Sequence, residues 1–262
     1  SQVSPDVQSV IAGTTTTNTT TFRDGQVYDT VKQMILPGVF LILFYLLISF
    51  FGSQMLTSTT EEKENRVIEM ILTTIEARTL IIGKILSLIF LAFFQGALIV
   101  VPALLGYLLF HDQLNMPALD LTSLPVDWGR ILTGAAIFVT GIVMFTGLLV
   151  LIGASVPTAK EAGQFFGMVM MLLFGPLYAF TLFISAPDSP FVRFLSLFPL
   201  TAPIPLLLRN AVGNLTGWEI ALAIPIMAVT AVIILILAVR VFRFGALEYS
   251  RKLSFKEIFN RK

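Results

Sequence analysis

Apolar and polar positions in this chain separate into long blocks rather than short periods. The first block, PGVFLILFYLLISFFGSQML at residues 37–56, is uncharged. At about 1.5 Å per residue it is long enough to cross ~30 Å of hydrocarbon. Similar blocks at 85–110, 131–152, 164–184 and 220–242 predict four further spans. Pro37 suits the opening turn of the first. In the second, Gly96, Pro102 and Gly106 are tolerated in a membrane helix and are candidates for a bend or a close packing point. Gly134, Gly141 and Gly147 give the third span small residues suited to close helix packing. Met168, Met170 and Met171 in the fourth read as fillers of irregular packing rather than soft-metal ligands.

Two stretches break the pattern. SPFVRFLSLFPLTAPIPLLLRN is apolar, but Pro199, Pro203 and Pro205 interrupt it and Arg193 and Arg209 flank it. Its apolar pieces are too short to cross separately, so residues 190–210 predict a re-entrant or interfacial hairpin before the last span. The other is 57–84, the long polar interruption between the first two spans. It opens on Glu61, Glu62, Lys63, Glu64 and Arg66, with Glu62 and Arg66 in the favourable i, i+4 order. Val67, Ile68, Ile71, Leu72 and Ile75 then recur at helical spacing with Glu69, Thr73 and Glu76 between them. This predicts an interfacial helix on which something outside the membrane could press. A helix that simply rests at the interface fits the same pattern.

Composition supports a membrane chain: 56% hydrophobic, 13% charged, mean hydropathy +0.87. A net charge of +1, with no basic stretch on a polar background, argues against a nucleic-acid partner. Cysteine is absent, which rules out disulfides and thiol chemistry in this chain, and the single histidine, His111, reads as an interface residue. Residues 1–30 are polar and threonine-rich, and residues 246–262 form a basic tail with a short amphipathic stretch around Leu253, Ile258 and Phe259. Asn18-Thr19-Thr20 and Asn214-Leu215-Thr216 have glycosylation-acceptor spacing, a short pattern that arises often by chance. One set of links and the tail carries twelve Lys and Arg; the opposite set carries five, namely Arg23, Lys32, Arg130, Arg193 and Arg209. The positive-inside rule then puts 57–84 and the carboxyl end in the cytoplasm and the amino end outside. No signal peptide or initiator methionine opens the sequence, so an upstream span, making six, is expected.

No catalytic constellation emerges. His-Glu-x-x-His and Gly-x-Ser-x-Gly are absent, and Gly83-Lys84 runs into Ile85 rather than completing a nucleotide-binding loop. The spans are nearly free of ionisable groups, which disfavours an ion-coupled carrier. The surviving readings are a permease moved by a separate motor and a non-enzymatic scaffold or accessory subunit without one.

The tract TEEKENRVIEMILTTIEARTLIIGKIL, residues 60–86, resembles the corresponding tract of ABC-2 type exporter permeases, in particular the sodium-efflux-like and multidrug-like groups. Glu61, Glu62, Lys63, Glu64, Arg66, Glu69, Ile71, Leu72, Gly83 and Lys84 carry the match, while Thr73-Thr74-Ile75 stands where many members have a Ser-Pro-like turn. The resemblance covers most of residues 30–245. It implies an all-α polytopic transmembrane domain over 31–245 with a cytoplasmic coupling helix, and makes residues 1–30 the remnant of an outer domain. It further implies that Glu61, Glu62, Glu64, Arg66, Val67, Ile68, Glu69, Ile71 and Leu72 contact a cytoplasmic ABC ATPase, with Gly83 and Lys84 opening the next helix. ATP and Mg would then be bound by that partner, with no cofactor bound directly here. The chain would pair with a second permease subunit in the cell membrane, surrounded by lipid, and move substrate outward.

Overall fold

A computed structural model describes residues 22–23, 26–27, 30–65, 71, 74–110 and 125–245. Two-residue strands β1 (Phe22–Arg23) and β2 (Gln26–Val27) pair antiparallel, and the other regular elements of the described chain are helices. The long helices are α1 (Thr30–Glu64), α2 (Ala77–Phe110) and α3 (Trp128–Ser155). The chain continues through α4 (Ala159–Phe174), a 3-10 turn (Gly175–Ala179) and α5 (Phe180–Ser185). Two short helices, α6 (Pro190–Leu197) and α7 (Pro203–Val212), precede the last, α8 (Gly217–Gly245). Among the described residues five stretches are long and apolar enough to cross a membrane, with α4, the 3-10 turn and α5 together forming the fourth.

The core lies along α3. Over its most apolar stretch 56% of residues are buried, against 17–22% in the other four candidate spans. Glycines make this possible, because a helix without Cβ atoms on one face lets its neighbours approach closely. A Cβ on Gly141 would stand 2.9 Å from the Phe44 ring, and one on Gly147 2.9 Å from Leu235. One on Gly153 would stand 2.7 Å from the Leu56 carbonyl oxygen, so α1 and α3 meet there backbone to backbone. Phe44 fills the centre, edge-on to both Phe138 and Phe145 with centroids 6.3 and 6.2 Å away. The outward faces of α2 and α8, including Phe90, Phe94, Leu98, Val229 and Ile233, stay exposed, as lipid-facing surfaces do.

Several element boundaries differ from the sequence expectation. Pro37 lies inside α1 rather than in its opening turn, because the helix already starts at Thr30. At the other end α1 runs on to Glu64, so residues 57–64 continue the first span rather than beginning an interfacial helix. The hydroxyls explain it. Thr57 and Thr60 donate back to the Ser53 and Leu56 carbonyls at 3.0 and 3.3 Å, so these polar side chains are satisfied without leaving the helix. With α2 starting at Ala77, the polar interruption shrinks from 57–84 to a link over 65–76. The fourth span is broken where Gly175-Pro176 removes a backbone donor. Met168 and Met171 point outward there, 63% and 79% exposed, and only Met170 packs against the core. Within 190–210, α7 is buried in the bundle: every residue from Pro203 to Ala211 is buried, and the helix packs against α1 and α3. The residues before 22, the loop at 111–124 with His111, and the tail over 246–262 lie outside the described residues.

The Gly153 contact predicts a sharp asymmetry. Gly153→Ala should destabilise the bundle by about 1–3 kcal/mol. Gly106→Ala, whose Cβ meets nothing within 4 Å, should be neutral or stabilise by up to ~1 kcal/mol through helix propensity. Thermal unfolding of the two purified variants in the same detergent checks the order.

Candidate coupling site

The end of α1 is where the polar groups gather. Glu61 is exposed. Glu62 is not a free charge: its carboxylate pairs with Lys84 Nζ at 2.7 Å, and Lys84, only 9% exposed, also donates to the Ser58 carbonyl at 3.0 Å. Glu64 accepts the backbone N–H of Ala159 at 3.0 Å. Thr60 donates to the Gly153 carbonyl at 3.2 Å. Three helices, α2, α3 and α4, therefore converge on the last turns of α1. Gly83 is exposed, with open space where a Cβ would go. Ile71 is half-buried, and its carbonyl accepts from the N–H groups of Thr74 and Ile75, closing a turn before α2. Arg66, Val67, Ile68, Glu69 and Leu72, with the Lys63 side chain, lie outside the described residues.

At the opposite end a polar cluster fixes the short helices, and sequence reasoning passed over it. Arg209 at the end of α7 is fully buried. Its two terminal nitrogens donate to Glu219 Oε1 and Oε2, both at 2.8 Å, one also to Ser196 Oγ at 3.1 Å and the other to the Asn214 carbonyl at 3.3 Å. Glu219 also accepts from the backbone N–H and the hydroxyl of Thr216, at 3.0 and 2.6 Å. Thr216-Gly217-Trp218-Glu219 is thus half a capping box, with the N3 carboxylate reaching back to the N-cap amide. That Thr-x-x-Glu spacing before an apolar run was the readable signal. Gly213 ends α7 at φ 82°, its N–H donating to the Arg209 carbonyl at 2.9 Å. Asn210 donates to the Arg130 carbonyl at 2.9 Å, tying α7 to the start of α3. Arg209 therefore serves as an internal brace, not as one of the free loop cations counted for orientation.

With this geometry in place, comparison with known proteins fixes the class. Residues 3–240 match the family described as ABC-2 family transporter protein, and the chain belongs to that family. It is a multi-pass membrane protein. An uncharacterized protein of Methanocaldococcus jannaschii, MJ1024, is 28% identical over 230 residues, covering 88% of this chain and 54% of its own. YhaP, an uncharacterized protein of Bacillus subtilis, is 22% identical over 224 residues, covering 84% and 53%. The chain thus spans about half the length of the curated relatives it matches. No solved structure matches it.

Breaking the brace from one side leaves a buried charge unpaired, which is costlier than removing the pair. Glu219→Gln should destabilise by about 3–5 kcal/mol, and the double variant Arg209→Met, Glu219→Leu should recover much of the loss. Denaturation of the two variants in one detergent, compared with the unsubstituted chain, measures both effects.

Proposed function

We propose that the chain is the permease subunit of an ATP-driven exporter, with the 65–76 link and the exposed flank of α1 around Glu61 facing a separate cytoplasmic ATPase. The observation that carries the reading is the family match over residues 3–240 combined with the convergence of α1, α2, α3 and α4 on one polar end of the bundle. A push at that end reaches four helices at once, as transmission through a rigid element requires. The excess of basic residues in the flanking links and tail supports a cytoplasmic position for this end. Nucleotide and Mg would belong to the partner, and a second permease subunit would complete the path between two walls of five or six helices. A scaffold without a motor is the competing reading.

Within this reading Glu69 orients docking. Glu69→Lys should lower partner-stimulated ATP hydrolysis in reconstituted vesicles about tenfold, the scale of a reversed charge at a docking surface. Membrane insertion and the thermal stability of the chain should be unchanged. Stimulation equal to that of the unsubstituted complex would remove Glu69 from the contact, and no stimulation by either chain would favour the scaffold.

A further inference from the structure

Two of the acidic residues that the sequence offers for docking are engaged inside the chain, and one of them sits at a mechanically significant place. We propose that Glu64 is a positioning residue: its carboxylate, held at the N-terminus of α4, is the latch that carries movement of the end of α1 into α4. The source of that movement rests on the exporter reading above; the latch itself does not.

Ala159 is the first residue of α4, so its N–H has no acceptor within its own helix. Glu64, the last residue of α1, supplies one at 3.0 Å. The negative carboxylate also suits the positive end of the helix dipole. Thr158 covers a second first-turn donor, accepting from Glu161 N at 3.3 Å. The start of α4 is therefore held partly from within and partly by α1. Thr60 lies one turn before Glu64 on the same face of α1 and donates to the Gly153 carbonyl. The α3–α4 connection, residues 156–158, thus has α1 fastened to it just before and just after. A connection that short cannot absorb independent sliding of the helices on either side. Glu62, two positions from Thr60 and from Glu64, projects from the opposite face, where it meets Lys84 of α2. The last turns of α1 are accordingly tied on both faces, and Glu64 is the tie nearest the link.

A docking residue and a latch respond differently to substitution. Glu64→Gln keeps an oxygen that accepts from Ala159, whereas Glu64→Ala removes it. In the full-length protein in lipid nanodiscs, hydrogen exchange read on a peptide covering residues 156–164 should speed up about fivefold at the start of α4 in Glu64→Ala, the effect of losing an ordinary helix cap. Glu64→Gln should leave it close to the unsubstituted rate. Unchanged exchange in Glu64→Ala overturns the latch. The second measurement uses the complex with its ATP-hydrolysing subunit. This chain has no cysteine, so spin labels at Trp128→Cys and Tyr178→Cys report on α3 and on the turn after α4. ATP with vanadate should shift the distance between them, and Glu64→Ala should abolish the shift while the ATP-hydrolysing subunit stays bound. A shift that persists overturns the transmitting role, and release of that subunit makes Glu64 a docking residue instead. An unsubstituted complex whose labels do not move counts against the exporter reading, while the exchange result still decides the latch.

Discussion

The close approach of helices to the glycine face of α3 is the constraint on which the bundle depends. In hydrocarbon no water rewards the burial of apolar side chains, so helices are held by packing and by polar contacts between them. Gly141, Gly147 and Gly153 give α1 and α8 room to come near enough for that packing to be dense. Phe44 and Leu235 then occupy space that a Cβ on Gly141 or Gly147 would take. The same closeness brings the Leu56 and Gly153 carbonyls within reach of one hydroxyl, that of Thr60. Packing and polar attachment at the coupling end are thus parts of one arrangement.

Among the described residues the ion pairs lie at the two ends of the bundle, and the polar groups around them do different work there. At the Arg209 end they form a closed, buried network that fixes α6, α7 and α8 relative to one another. Its charges are paired and its remaining donors mostly used, which makes it a brace. At the Glu64 end the bonds are partly exposed and run between helices that meet at a short turn and a link. A single helix cap such as the one Glu64 supplies contributes about 1 kcal/mol. Such contacts can open and reform at modest cost.

The extent of the chain that sequence reading reached follows from how local the signal was. The third span was placed at 131–152 and the helix runs from Trp128 to Ser155, because an uncharged block is its own signal. The end of α1 was misplaced because hydropathy falls at Thr57 while the helix continues, its hydroxyls bonded to the preceding turn. The burial of α7 could not be read, since proline-rich apolar sequence suits a surface hairpin and an inserted one alike. The sequence offers Glu62 and Glu64 for docking and Lys84 for the entry to the next helix; that Glu64 also finds a partner 95 residues along the chain is a relation that only the folded bundle creates. Arg209 looked like a flanking cation because its partner Glu219 lies beyond the helix end at Gly213. Only the Thr216–Glu219 cap joining that pair was local enough to be seen.

The central claim is that the polar end of α1 and the link after it face a separate ATP-hydrolysing subunit. It is tested most directly by placing a photoreactive amino acid at Glu61 in the full-length protein in its native membrane, and at Trp128 at the far end of the bundle. The account predicts a cross-link from position 61 to an ATP-hydrolysing subunit and none from position 128. Cross-links to such a subunit from position 128 but not from 61 would contradict it.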